Sequence, residues 1–262
     1  MWENKKIWIV GASRGIGASL AQTLNRVGAY TILSARDVTS LQAVQNSLEH
    51  ADQSMIIPLD LTQSATIENA LALYIKHFDT CDVMVHCGGI SQRATAMETS
   101  MEITRKIFES NFFGHVQLTH AMLPLMIKQK SGRLIVISSL SGKWGFYLRS
   151  TYSASKHALH GYYDSVRMET EKEGIQVHIV TPGFIATDIS MHAIDNTGKS
   201  TGVMDNNQSN GISPDECARQ ILRGVEKNKT EFGVGGKEIF SLFLHRFFPR
   251  YFQKLLRKQS AR

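Results

Sequence analysis

Between an apolar run at Ile7–Val10 and a helical pattern opening at Gly15, the chain places Gly11, Gly15 and Gly17 in one tight turn. Few folds need such a turn there. A strand must stop, reverse within a few residues and feed a helix at once, and glycine makes that geometry accessible. The context is a βαβ unit, in which the helix N-terminus offers unpaired N–H groups and a favourable dipole to an anion.

The rest of the chain repeats the alternation. Strands are expected at Thr31–Ser34, Met55–Leu59, Val83–Val85, Arg133–Ser138, Val177–Val180 and near Phe232. Helices are expected at Gly15–Val27, Leu41–Leu48, Ile67–His77, Met101–Lys128 (broken near Pro124 or starting a turn before it), Tyr152–Glu173 and Asp215–Glu226. The strands lack polar alternation, as when both faces are buried. The expected fold is α/β, a single-domain Rossmann-type doubly wound parallel sheet with helices on both faces. Residues 1–236 are expected to form this domain. A polar, Gly/Asn-rich flap spans about 185–212, and 237–262 is a basic amphipathic C-terminal extension.

Composition removes several function classes. A chain of 262 residues needs no disulfide or metal staple. Cys81, Cys87 and Cys217 show no C-x-x-C spacing, so no metal site is expected, and they suit a reducing cytoplasm. The formal charge of +6 is mild and scattered, which argues against nucleic acid. Lys5 and Lys6 lead straight into the first strand, so neither signal peptide nor anchor helix is expected.

The full turn reads Val10-Gly11-Ala12-Ser13-Arg14-Gly15-Ile16-Gly17. Its G-x-x-x-G-x-G spacing resembles the short-chain dehydrogenase/reductase superfamily. An acidic residue for a ribose hydroxyl belongs at the end of the second strand. Asp37 has about the right separation but falls past the strand. In the resembling family the acidic position falls on Ala35, and an Arg directly after it, here Arg36, marks NADP binders. Arg14 is the family's other NADP-type cation. Two guanidinium groups suit a 2′-phosphate through paired, charge-assisted hydrogen bonds.

The resemblance carries further residues. Asp60-Leu61 matches the adenine-contacting pair, and Asp60 could equally cap the next helix. The usual Asn-Asn-Ala-Gly after strand four is His86-Cys87-Gly88-Gly89 here, which keeps the glycines near the cofactor and loses two amides. Cys87 reads as a small buried thiol, not a nucleophile. Pro182-Gly183, Ile185 and Thr187 follow strand six and would contact the nicotinamide arm.

Tyr152 and Lys156 stand four apart, on one face of a helix. With Ser139 and Asn111 they resemble the superfamily's Asn, Ser, Tyr-x-x-x-Lys tetrad in order and placement. The chemistry explains the types. Reduction of a carbonyl leaves an alkoxide that needs a proton. A phenol lowered toward neutrality by a neighbouring ammonium can give that proton, or take it back in oxidation. Ser139 would hydrogen-bond the substrate oxygen; Ser138 competes for that role. By resemblance, Lys156 holds the nicotinamide ribose and Asn111 bends its helix to place a proton-relaying water.

The flap segments Thr187-Asp188-Ile189-Ser190, Ala193-Ile194, Gly202-Val203-Met204-Asp205 and Ser213-Pro214-Asp215-Glu216 resemble the dehydrogenase/reductase member 7 group. The implied activity is NADPH-dependent interconversion of a small-molecule carbonyl and an alcohol, on a lipophilic ketone, aldehyde or steroid-like substrate. Trp144, Phe146, Tyr147, Leu148, Phe184, Ile189 and Met191 are the expected apolar walls. The alternatives are an NAD-linked alcohol dehydrogenase or a non-catalytic dinucleotide-binding protein. A homodimer or homotetramer is expected from relatives. In the tail, Phe247, Phe248, Tyr251, Phe252, Leu255 and Leu256 recur beside Arg246, Arg250, Lys254, Arg257 and Lys258. Packing on the domain is the preferred reading, and a weak membrane-surface contact is the alternative.

Overall fold

The computed structural model describes residues 1–260. Seven parallel strands form one sheet: β1 (Lys6–Val10), β2 (Tyr30–Ser34), β3 (Ser54–Ile56), β4 (Val83–His86), β5 (Gly132–Ile137), β6 (Ile175–Pro182) and β7 (Glu231–Val234), in the order β3-β2-β1-β4-β5-β6-β7. The order reverses between β1 and β4, which opens a crevice beyond their C-terminal ends. Gly11 leaves β1 at that crevice, and Cys87-Gly88 leave β4 beside it.

Alternate residues of β1 feed two cores. Ile7 and Ile9 pack beneath α1 (Gly15–Arg26), α2 (Val38–Asn46) and α8 (Pro214–Glu226). Trp8 and Val10 pack beneath α3 (Ser64–His77), α5 (Gly114–Gln129) and α6 (Ser150–Thr170). This period-2 division of wholly apolar strands is the doubly wound pattern. Trp8 stacks on Tyr74 at 4.6 Å and donates its ring N–H to Ser34 Oγ.

Several boundaries differ from expectation. The ladder of β3 ends at Ile56, although Ile57 and Leu59 still donate to Leu33 and Ala35. Asp37 starts α2 by accepting from the Ser40 N–H at 3.1 Å. The long helix breaks not near Pro124 but at a π-helical turn, Glu109–Phe113, between α4 (Met101–Phe108) and α5; Pro124 lies inside α5. Such turns insert a residue and reorient the side chains around them.

The flap contains α7 (Asn206–Ser209) and is tied to the loop after β4. Ile194 donates to Ser91 O and accepts from Arg93 N, and Asp205 bridges Arg93 at 3.3 Å and Arg149 at 3.0 Å. The tail forms α9 (Phe240–Phe247) and α10 (Pro249–Ser260), with Pro249 opening the second helix. One face packs on the domain: Phe252, 4% exposed, meets Trp144 at 4.6 Å, with Leu140, Phe146, Leu242 and Leu244 around them. The side chain of Lys258, last of the expected cationic stripe, lies outside the described residues. Among those described, no helix is long and apolar enough to cross a membrane.

Candidate active site

A cleft of about 450 Å³ runs along the crevice, from the glycine turn to the start of α6. At the turn, Gly11 has φ +93°, and a Cβ there would stand 2.5 Å from the Gly88 nitrogen. The strands can approach this closely only with glycine. No side chain caps α1, so its first N–H groups remain available at the cleft. Positive φ, no Cβ in the way and a free helix N-terminus together form a cradle that could hold a pyrophosphate. Gly15 packs against Thr187, whose Cγ2 would lie 3.1 Å from an added Cβ. Gly17 does not line the cleft. It is buried and touches Gly11 O, so it serves helix–strand packing.

Ala35, Arg36, Asp37 and Ser40 stand at the opposite edge. The Asp37 carboxylate is occupied by the Ser40 hydroxyl and N–H, which hold it below its ordinary value. Arg14 and Arg36 have no ion-pair partner among the described residues. Asp60 and Leu61 line the cleft as expected. Asp60 does not cap α3, however. It closes a local turn on the Thr62 N–H and hydroxyl, and Gln63 takes the cap position.

Beyond β4, Cys87 lines the cleft and burial pushes its thiol up to about 12, so it stays protonated and inert. The lost amides are replaced by a buried hydrogen-bonded chain. His115 Nε2 lies 2.9 Å from Gly88 O, and a carbonyl only accepts, so Nε2 carries the proton. Burial pushes His115 down to about 4 and His86 well below its usual range, so both rings are neutral. His115 Nδ1 therefore accepts from His86 Nδ1 at 2.9 Å. His86 Nε2 then accepts from the Thr119 hydroxyl at 2.8 Å, and Thr119 accepts from Tyr163 at 2.8 Å. One direction satisfies every group from Tyr163 to Gly88, and it fixes the backbone that faces the glycine turn.

At the far end, Ser139, Tyr152 and Lys156 line the cleft. Asn111 stands behind them, fully buried in the π-helical turn. Its side chain clamps Ile90, accepting from the N–H at 2.8 Å and donating to the carbonyl at 2.9 Å; Nδ2 also reaches Ser155 Oγ. Gly89 separates it from Lys156, whose Nζ would lie 3.6 Å from a Cβ added there. Ser139 Oγ accepts from the Ser141 N–H at 3.1 Å, which leaves its own proton to donate. Ser138 is removed from the competition because its hydroxyl is taken by Lys156 O and His160.

The electrostatics differ from expectation. Burial dominates Tyr152 and raises its pKa; Arg149 and the Ser139 hydroxyl pull it down less strongly. Lys156 is not among the groups that lower it. Lys156 itself is pushed down to about 8 by burial and donates to Ile137 O at 2.9 Å.

Sequence reasoning missed Gln92, a fully buried residue after β4. Its Oε1 accepts from the Thr151 N–H at 2.9 Å and the Tyr152 N–H at 3.2 Å, so it caps the helix that bears Tyr152 and Lys156. Nothing local could reveal it, since the cap arrives from about 60 residues away. Glu238 was missed too. Its carboxylate accepts from the Phe184 N–H at 2.9 Å and holds the Pro182-Gly183 turn. The expected apolar walls are corrected. Ile189 lines the cleft, with Ile90, Ile185 and Ile194. Phe184, Leu148 and Met191 do not, Trp144 and Phe146 turn to the tail, and Tyr147 is 63% exposed.

Residues 5–198 match the family model described as short chain dehydrogenase. The chain belongs to the short-chain dehydrogenase/reductase family. Dehydrogenase/reductase SDR family member 7B of Danio rerio is 32% identical over 272 residues, which covers 99% of this chain and 88% of that protein. A solved short-chain dehydrogenase from Streptomyces avermitilis is 28% identical, with a TM-score of 0.84 over 99% of this chain and 98% of that one. Two further short-chain dehydrogenases share the fold at lower identity. One from Burkholderia phymatum was solved with NAD (15% identity, TM-score 0.82, 93% of this chain and 92% of that one). One from Sphingobium yanoikuyae was solved with NADPH (22%, 0.76, 87% and 87%). The chain is thus an oxidoreductase of this family, built on a Rossmann-type sheet.

Proposed function

We propose that this short-chain dehydrogenase/reductase interconverts a carbonyl and an alcohol with NADP(H), acting on a lipophilic ketone, aldehyde or steroid-like substrate. The observation that carries the reading is the juxtaposition of Ser139, Tyr152 and Lys156 in one cleft with Arg14 and Arg36, two arginines without an ion-pair partner among the described residues. The bound nicotinamide supplies or accepts the hydride. Tyr152 gives its proton to the carbonyl oxygen in reduction and takes it from the alcohol in oxidation. Ser139 donates to the same oxygen and steadies the charge that develops there. Lys156 holds the ribose, and Asn111, locked to Ile90, fixes the turn behind it.

NADP(H) is favoured over NAD(H) because Arg14 and Arg36 can pair with a 2′-phosphate, whereas Asp37 is spent on Ser40. Within the cofactor site, Gly11, Ser13, Gly15 and Ile16 would face the pyrophosphate, and Asp60, Leu61, Cys87 and Gly88 the adenosine. Pro182, Gly183, Ile185 and Thr187 would face the nicotinamide arm. The apolar wall of Ile90, Ile189 and Ile194 suits a lipophilic substrate. A homodimer or homotetramer through the helices bearing Asn111 and Tyr152 fits the exposure of Phe113 and Met168. Cys81, Cys87 and Cys217, all free, suit the cytoplasm. A turnover screen of carbonyl compounds and alcohols with both cofactors tests the proposal. Turnover that requires Tyr152 and prefers NADPH is expected. Preference for NADH, or activity surviving in Tyr152→Phe, overturns it.

A further inference from the structure

The tail has two apolar faces, and the domain covers only one. The inner face buries Phe252 on Trp144. The outer face leaves Phe240, Phe243, Phe247, Phe248 and Tyr251 between 47% and 61% exposed. The four phenylalanine rings form a continuous patch: Phe243 lies 5.5 Å from Phe240, 4.8 Å from Phe247 and 6.1 Å from Phe248. Exposed aromatic side chains are ordinary when scattered, but a contiguous cluster marks an interaction surface.

The charge around the patch says what covers it. No acidic residue follows Glu238 in the sequence. Arg246, Arg250 and Lys254 are exposed on the same two helices, and none of the three has an ion-pair partner among the described residues. Arg246 sits over the Phe247 ring at 5.7 Å. A second copy of this chain is a poor occupant, since a twofold contact would set cations against cations. A surface that is negative outside and apolar beneath matches both features, because aromatic rings settle at the headgroup level while cations meet the phosphates. With α9 and α10 eight and twelve residues long, the segment can lie in the interface but not span it.

The geometry points to the outer face of α9 and α10 as a docking surface for an anionic lipid bilayer. The inner face of the same helices packs on Leu140 and Trp144, directly after Ser139, so the catalytic loop rests on the docked element. Removing the tail to test this would uncover Trp144 and Leu140. Surface substitutions are the cleaner perturbation.

The test is flotation of the full chain with vesicles of phosphatidylcholine alone or of phosphatidylcholine with an equal part of phosphatidylserine. The chain is expected to float with the mixed vesicles at about 0.1 M salt and to dissociate at about 1 M, where charges are screened within about 3 Å. Arg246→Gln/Arg250→Gln/Lys254→Gln should weaken binding roughly a hundredfold, at about fivefold per cation. Phe240→Ser/Phe243→Ser/Phe247→Ser changes exposed positions only and should abolish flotation while leaving the thermal melt in place. No flotation of the parent at low salt overturns the proposal. So does flotation unchanged in both variants. Self-association that disappears in the phenylalanine variant, without flotation of the parent, would show that a second copy occupies the face.

Discussion

Lys156 is expected to destabilise the cofactor-free protein at neutral pH, and replacing it with Met should reveal how much. Its side chain is buried at 4% exposure, and burial moves it from 10.5 to about 8. The folded state therefore binds this proton less tightly than the unfolded chain does. Below pH 8 both states are protonated and the full penalty applies, about 3 kcal/mol. Between pH 8 and 10.5 the unfolded chain holds more protons, so stability from this group rises with pH, by up to about 1.4 kcal/mol per pH unit. Lys156→Met removes the penalty but strips Ile137 O of its donor, a loss of about 1–3 kcal/mol. At neutral pH the two changes offset, so the net difference stays within about 2 kcal/mol. The slope is the discriminating quantity. Urea unfolding of both proteins from pH 7 to 10, without cofactor, should show the parent gaining on the variant by about 2.5 kcal/mol across that window. Common background from other titrating groups cancels in the difference. Parallel profiles would refute the reasoning, because they would mean that the ammonium is not desolvated in the fold. The same variant should bind NADPH poorly, because the proposed role of Lys156 is to hold the ribose.

Tyr152→Phe keeps the ring and removes the proton donor; turnover should fall roughly 100- to 10,000-fold while NADPH binding, followed by fluorescence, survives. Arg36→Ala should raise the NADPH dissociation constant by about 1.5–3 kcal/mol and leave NADH nearly unchanged, as read by fluorescence titration. Thr119→Val should leave His86 Nε2 without its donor, while Tyr163 retains His115 O at 3.4 Å. The expected loss is about 1–3 kcal/mol, seen as a melting temperature lower by about 2–4 °C per kcal/mol, with weaker cofactor binding through Gly88.

The sequence by itself determined the scaffold and several of the residues that line its cleft. Apolar runs without polar alternation, separated by helix-length patterns, dictate a sheet buried on both faces. Gly11 and Gly15 mark positions where the backbone must turn through positive φ, and that demand is legible because only glycine meets it cheaply. Tyr152 and Lys156 were readable for the same kind of reason: helical spacing puts i and i+4 on one face. Tertiary structure decided everything that depends on distant partners. Gln92 caps the catalytic helix from a loop that no local pattern connects to it. His86 looked like a departure from a familiar motif and His115 drew no reading at all; only their 2.9 Å approach makes them one hydrogen-bonded chain. The Tyr152 phenol lies above its ordinary value, not below it, because burial, which spacing cannot report, outweighs the pull of Arg149 and the Ser139 hydroxyl. In the tail, helical periodicity showed an apolar stripe but not which rings it would hide. Docking α10 on Trp144 chose Phe252 for the inside and left five aromatic side chains facing outward. Periodicity fixes which residues share a face, but only packing fixes what that face meets.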